Sequence, residues 1–354
     1  MPASPELALD LARDTLAIYT EAELLVLQKV ARRLARGITG PGWAEDKLRD
    51  VRALNADLAA IIAAMQAASD VAVLEAIEKG YERGQAAAVA DLSLPALPAP
   101  AQRVAALARA TQGRLSPVGL RVTRWAGDVY SRTVTETTAQ VLAGSLTRRE
   151  ASALTLSRLA QRGVTGFVDR AGRGWDMATY AEMAVRTSTA QAAIQGHADQ
   201  LQARGKDLVI VSNAPEECKI CRPAESEVLS LSGANVGLIV KARYGIVRRS
   251  LAEAVAAGLL HSNCRHRLGL FIDGVTDADT HTADPEGDEL RQRQRGYERR
   301  IRELKRRIAV EEALDPAKAR ATRALLRAKQ ADFRTWREQH GRKELAYRTS
   351  IKTR

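Results

Sequence analysis

Cysteine and histidine are both scarce in this chain of 354 residues, which holds three of the first and five of the second. A small, odd cysteine count excludes a disulfide scaffold and points to a reducing compartment. Aromatic residues are only 4% of the chain although 45% of it is hydrophobic, so the apolar mass is mostly Ala and Leu. Such side chains suit thin helix–helix packing better than a thick sheet core. No unbroken run of about 18 apolar residues is present, so no membrane span is expected. The stretch MPASPELALDLARD has no basic n-region and no apolar h-region, so no secretory signal is expected.

Acidic residues run short at one end. The net charge is +12, and residues 291–354 hold 21 Lys/Arg against 8 Asp/Glu, which leaves 33 against 34 for the rest. The positive field therefore belongs to this last segment and points to a polyanion or an acidic protein surface. Arg291, Arg293, Arg295, Arg299, Arg300, Arg302, Lys305, Arg306 and Arg307 are the candidate contacts. Glutamates among them, such as Glu298, Glu303, Glu311 and Glu312, can form pairs within a helix, which leaves a solvated helical face as the plain alternative.

The length allows two or three modest domains. Ser4 and Pro5 form an N-cap and N1 pair, and Leu24, Leu27, Ala31 and Leu34 recur at helical spacing. Leu48, Val51, Leu54, Leu58, Ile61 and Met65 make a second stripe, and a third helix is expected over about 71–89. LSLPALPAP reads as a proline-rich linker over 92–100. Helices resume over 101–163, where Thr147 and Glu150 form a capping box. A helix is then expected from Met177 to Arg204, stopped by Gly205. DLVIVS, EVLSLSG and HRLGLFI read as strands, with a helix from about Arg248 to Ala257. Residues 164–276 thus form a small α+β module, followed by an acidic connector over 277–290. In 291–354, Tyr297, Ile301, Leu304 and Ile308 mark one helix, and Leu326, Phe333 and Trp336 another. Asp315 and Pro316 start the second, which gives a basic antiparallel helical hairpin. The expected fold is mainly α, with an N-terminal helical region over 1–91 and a zinc-knuckle-like α+β insert.

All three cysteines fall in one pattern, CKIC followed after 39 residues by HSNCRH. Two thiolates on a turn after a strand, joined by a second pair from a distant loop, make a tetrahedral zinc site. Cys218, Cys221, Cys264, His261 and His266 are five candidates for four places. A Cys3His site would be closed and structural, stapling a module with little core of its own. The three cysteines are the firmest ligands, and spacing does not choose between His261 and His266. Neither H-E-x-x-H nor H-x-E…P-C-x-x-C is present, so the usual catalytic-zinc patterns are missing. Cys264 between two histidines also fits a thiol nucleophile.

Several stretches together resemble the phage minor capsid proteins of the minor capsid protein 2 type, relatives of the Mu F-like head morphogenesis proteins. They are IYTEAELLVLQKVARRL, DRAGRGWDMATYAEMAVRTSTAQA, DLVIVSNAPEECKICRPAESEVLSLSG, HSNCRH and QRQRGYERRIRELKRRI. One departure is Ala224–Glu225, where the family tends to have glycine. The resemblance implies a structural protein of the virion, in or near the head of a tailed phage. It would be assembled in the host cytoplasm and possess no established catalytic activity. Its implied partners are the portal, the major capsid protein and, non-specifically, double-stranded DNA, with an oligomeric arrangement around the portal. The competing class is a head-carried enzyme, either a zinc or thiol hydrolase or a nuclease-like toxin. Asp169, Arg173, Trp175, Tyr180, Met183, Arg186 and Thr187 could line a cleft, but their helical spacing favours packing, with Arg186 paired to Asp169. Ser188 and Thr189 have no evident His/Asp partners.

Overall fold

The computed structural model describes residues 10–165, 167–168, 174–214, 216, 220–241, 244–261, 264–277 and 284–351. Its helices are α1 (Arg13–Ala35), α2 (Trp43–Arg49), α3 (Val51–Leu92), α4 (Ala101–Leu115), α5 (Val118–Leu142) and α6 (Arg148–Gln161), then α7 (Met177–Gln202), α8 (Leu251–Ala256), α9 (Pro285–Leu314), α10 (Pro316–Gln339) and α11 (Ala346–Thr349). Two short strands, β1 (Phe167–Val168) and β2 (Gly174–Trp175), pair with each other, while β3 (Leu208–Val211), β4 (Val228–Ser230) and β5 (Leu268–Leu270) form an antiparallel sheet in the order β4-β3-β5. The expected helix at Ser4–Pro5 lies outside the described residues.

The chain divides into two compact units, each gathering three stretches of sequence. One holds Thr15–Asp70, Leu115–Ala181 and Arg293–Arg354. In it, the α1 stripe Leu24, Leu27, Ala31 and Leu34 is buried as its spacing requires. Trp43 Nε1 donates to the Leu34 carbonyl at 2.9 Å, closing the end of α1. Thr147 and Glu150 exchange both hydrogen bonds of a capping box at the start of α6. At the other end of α6, Arg306 donates to the carbonyls of Ala160 (3.2 Å) and Gln161 (3.0 Å) and to Glu23 (3.1 Å). Glu23 also accepts from the Val164 amide at 2.7 Å. Gly163 lies in this knot with φ +69°, and a Cβ there would stand 2.5 Å from Glu23 Oε1. Only glycine meets both demands. Asp315 caps α10 through the Lys318 amide, and α10 meets α9 where Tyr297 stacks on Phe333 and Thr322 donates to Glu311 at 2.6 Å.

The other unit holds Met1–Asp14, Val71–Arg114 and Glu182–Gln292. Its central strand β3 carries LVIV with no polar alternation, and both faces of β3 are covered. Val209 and Val211 join a core with Leu201, Cys221, Leu229 and Leu268. Ile210 joins a second core with Val228, Val240, Val247 and Phe271. A strand buried on both sides reads as a continuous apolar run. Beside the sheet, α3 and α7 approach backbone to backbone. A Cβ on Gly84 would overlap the Ala193 carbonyl, and one on Gly196 would overlap that of Tyr81.

One expectation changes. The stripes ending at Met65 and beginning near Val71 belong to one helix of 42 residues, because no glycine or proline stands between them and Ser69, a capping residue type, shares a hydrogen bond with the Tyr19 hydroxyl (3.1 Å) instead. By length and composition this same helix is apolar enough to cross a membrane, with a window of 18 residues at mean hydropathy 1.6, of which 33% is buried inside the fold. Its apolar residues form no unbroken run of that length, because Asn55, Asp57 and Gln66 interrupt them. Residues 93–100 lie outside any helix. They are nonetheless pinned, since Gln85 and Gln200 both donate to the Leu97 carbonyl at 2.9 Å.

Candidate metal centre

Two chain reversals in the sheet unit bring the sulfur and imidazole donors together. Cys221 precedes a single 3-10 turn, Arg222–Ala224, with Pro223 fixing its φ. The Cys221 side chain is fully buried in the core beneath β3. At the second, the Cys264 amide donates to the His261 carbonyl at 2.9 Å. From Cys264 the chain enters β5 two residues after His266, and positions two apart on extended chain share a side.

The sulfurs of Cys221 and Cys264 lie 3.5 Å apart. One donor atom from each of Cys221, His261 and Cys264 lies within 4.8 Å of the others. His266 Nδ1 is 3.4 Å from the Cys264 sulfur, and its Nε2 is 2.8 Å from Glu225 Oε1. Zinc–sulfur bonds of ~2.3 Å at a tetrahedral angle separate two sulfurs by about 3.7 Å, and a sulfur and an imidazole nitrogen by about 3.5 Å. The observed separations fit, so these donors could hold a metal ion. Glu225 adds the outer hydrogen bond that fixes the tautomer and orientation of a ligating imidazole. Burial alone would lower the His266 imidazole, but its bonds to Cys221 and Glu225 outweigh that and raise it.

The backbone around the donors is held in uncommon conformations. Four non-glycine residues among those described have positive φ, and three of them, Glu216, Ser226 and Leu260, flank the donor segments. Each costs of order 1 kcal/mol or more and persists only where the surroundings enforce it. Arg265 donates to Glu216 at 2.5 Å, and Arg291 Nε lies 3.5 Å from the same carboxylate, tying the Cys221 loop to its neighbours.

The structure thus gathers Cys221, His261, Cys264 and His266, while Cys218 lies outside the described residues. Glu225 was not foreseen as part of the site: it stands where the sequence departs from the family pattern, and no spacing rule marks it. Among the central residues, Asp169 and Arg173 lie outside the described residues, and Arg186 is buried in α7. The Ser188 hydroxyl bonds to the Ala184 carbonyl and to Arg114.

The basic candidates separate by burial. Arg302 and Arg306 are each 5% exposed, so they cannot reach a phosphate, and the expectation for these two is corrected. Arg302 donates to the Arg348 carbonyl at 2.7 Å, and Arg306 is bound to Glu23 and α6. Lys305 donates to the Thr349 carbonyl at 2.6 Å, and burial lowers its ammonium. Arg307 is paired with Glu311, Arg300 with Glu303, and Arg291 with Asp288. Arg293 lies over the Trp336 ring, Arg295 is half-buried, and Arg299 is exposed. A set that sequence reasoning missed lies on α10: Arg320, Arg327 and Arg334 are all exposed. Their spacing of seven was the available signal, since it places one arginine on the same helix face about every 10.5 Å.

Comparison with known proteins adds one match. A family model described as phage minor capsid protein 2 covers residues 4–337. No curated protein and no solved structure matches.

Proposed function

The chain belongs to the phage minor capsid protein 2 family, and on that premise we propose that it is a structural head protein working beside the portal, with no catalytic role. The family match over nearly the whole chain carries this reading. Basic α9 and α10 form an antiparallel hairpin whose outward stripe, Arg320, Arg327 and Arg334, meets packaged duplex DNA through phosphates without reading bases. A structural zinc is held by Cys221, Cys264 and His261, with the fourth place falling to Cys218 or His266. Bound, the ion would supply loop closure and nothing reactive.

Two measurements test this. Mass spectrometry of purified particles should find the chain in few copies per head; its absence from heads overturns the assignment. Binding to duplex should weaken steeply with salt, and Arg320→Gln/Arg327→Gln/Arg334→Gln should flatten the salt slope by about one per lost phosphate contact. Binding that ignores salt, or an unchanged slope, removes the DNA reading. Metal content in Cys218→Ser and His266→Ala separates the two possible fourth ligands.

One observation favours a second reading, that of a thiol hydrolase. Cys264, His266 and Glu225 form a sulfur–imidazole–carboxylate line of the kind that activates a nucleophile. Against it, the His266 side chain is fully buried, and the Cys221 sulfur already occupies one side of Cys264. Cys264→Ala that folds normally but abolishes a hydrolytic activity would favour the enzyme.

A further inference from the structure

The arginines assigned above to duplex contact all lie in the basic C-terminal segment, but the unit that holds α9 and α10 also carries positive charge on its first helix. Gln28, Arg32, Ala35 and Arg36 of α1 line an open groove of about 450 Å³ together with Ala309, Glu312 and Ala313 of α9. The alanines leave room beside the two arginines. Arg32 and Arg36 stand one turn apart, about 6 Å along the helix, and both are exposed.

Among the described residues, neither guanidinium has a hydrogen bond or an ion pair. Their neighbour Arg33 differs, since Asp50 and Asp57 hold it. An arginine at the end of a helix ordinarily serves the exposed carbonyls there, but here other residues do so. Arg148 donates to the carbonyls of Ile38 (2.8 Å) and Gly40 (2.6 Å), just past α1. Arg149 donates to the Leu314 carbonyl at the end of α9, at 3.3 Å. The carboxylate that lines the groove, Glu312, is already paired with Arg323 of α10. Asp315, at the joint beyond it, accepts from the Lys318 amide. The charges of Arg32 and Arg36 therefore stand uncompensated in the groove.

The Glu312–Arg323 pair also sets this groove beside the arginine stripe. Arg323 follows Arg320 by three residues and precedes Arg327 by four, so the three share a face of α10. Positive charge thus runs from Arg327 and Arg320 past Arg323 to Arg36 and Arg32. A planar guanidinium offers paired donors that match a phosphate. We propose that Arg32 and Arg36 hold phosphates of the same duplex that lies along α10, so that the DNA track crosses from the C-terminal hairpin onto α1. This rests on the duplex reading above and adds to it a phosphate site outside the basic segment.

The salt dependence of duplex binding by the full-length chain tests it, with a short duplex of arbitrary sequence as the probe. Arg32→Gln/Arg36→Gln should flatten the slope of log K against the logarithm of salt concentration by about two, one for each lost phosphate contact. At ~0.1 M salt it should weaken binding by at least about tenfold. Both side chains are exposed and make no bond within the fold, so circular dichroism and Tm should match wild type. Arg124→Gln/Arg132→Gln removes the same charge from exposed positions of α5 outside the groove, and it should keep the wild-type slope. A salt-dependent wild type whose slope is unchanged in Arg32→Gln/Arg36→Gln overturns the proposal and leaves the duplex reading standing. An equal loss in the α5 pair also overturns it, because overall charge would then account for the effect. Wild-type binding that ignores salt overturns both.

Discussion

Glu23 is 1% exposed and holds Arg306 and the Val164 amide at the foot of α6. Burial pushes its carboxyl above the ordinary carboxylate range, and Arg306 draws it only partly back. Removing one partner of a buried pair strands the other charge, so Glu23→Ala should cost about 3–5 kcal/mol in chemical denaturation. Glu23→Leu/Arg306→Met should lose far less, because no charge is left behind. Asp207 behaves in the opposite sense. Burial would raise its carboxyl, but donors from Ser230, Ser232 and Asn235 outweigh burial and hold it below the usual value. A carboxyl depressed in the folded state stabilises at neutral pH and loses that contribution as pH falls through its folded value. Asp207→Asn should therefore lower Tm at pH 7, and the gap to wild type should close below about pH 4. At this scale the sequence was legible where spacing carries chemistry. The C-x-H step placed Cys264 beside His266, but nothing announced Glu225, whose role depends on a fold-back of 41 residues.

Among the elements, the meeting of α3 and α7 yields a prediction whose sign is diagnostic. Glycine in a helix interior costs roughly 1 kcal/mol against alanine, so a helix glycine in open space gains from replacement. Gly113 of α4 has nothing within reach of an added Cβ, and Gly113→Ala should raise Tm slightly. At Gly84 the added methyl would overlap the Ala193 carbonyl, and forcing the helices apart costs about 1–3 kcal/mol or more. Gly84→Ala should therefore lower Tm despite its better helix propensity. Helix periods and caps made α1, α6, α7 and α10 readable, because those signals are local. The single α3 was misjudged because a stripe that drifts around a long helix looks like two short ones. Strand β3 was legible from its β-branched run and β4 and β5 from short apolar stretches, but their order depends on pairings that no local pattern encodes.

For the whole molecule, net charge indicated where the positive field originates but not which arginines project it. Arg302 and Arg306 belong to the interior, whereas Arg320, Arg327 and Arg334 face outward. Interleaving was equally hidden, since each compact unit is assembled from three separated stretches and a linear reading can only cut the chain in order. The step from α9 to α10 has a consequence of its own. Asp315 alone separates Leu314 from Pro316, so the arginine-studded helix hangs on a joint without slack. A protease must draw its target out as extended strand before cutting. Unwinding the first two turns of α10 at that joint would sacrifice the Glu311–Thr322 bond, and further unwinding would part the Tyr297–Phe333 stack. A segment rich in trypsin's preferred residues is thereby built to withstand trypsin for as long as the helix stays wound.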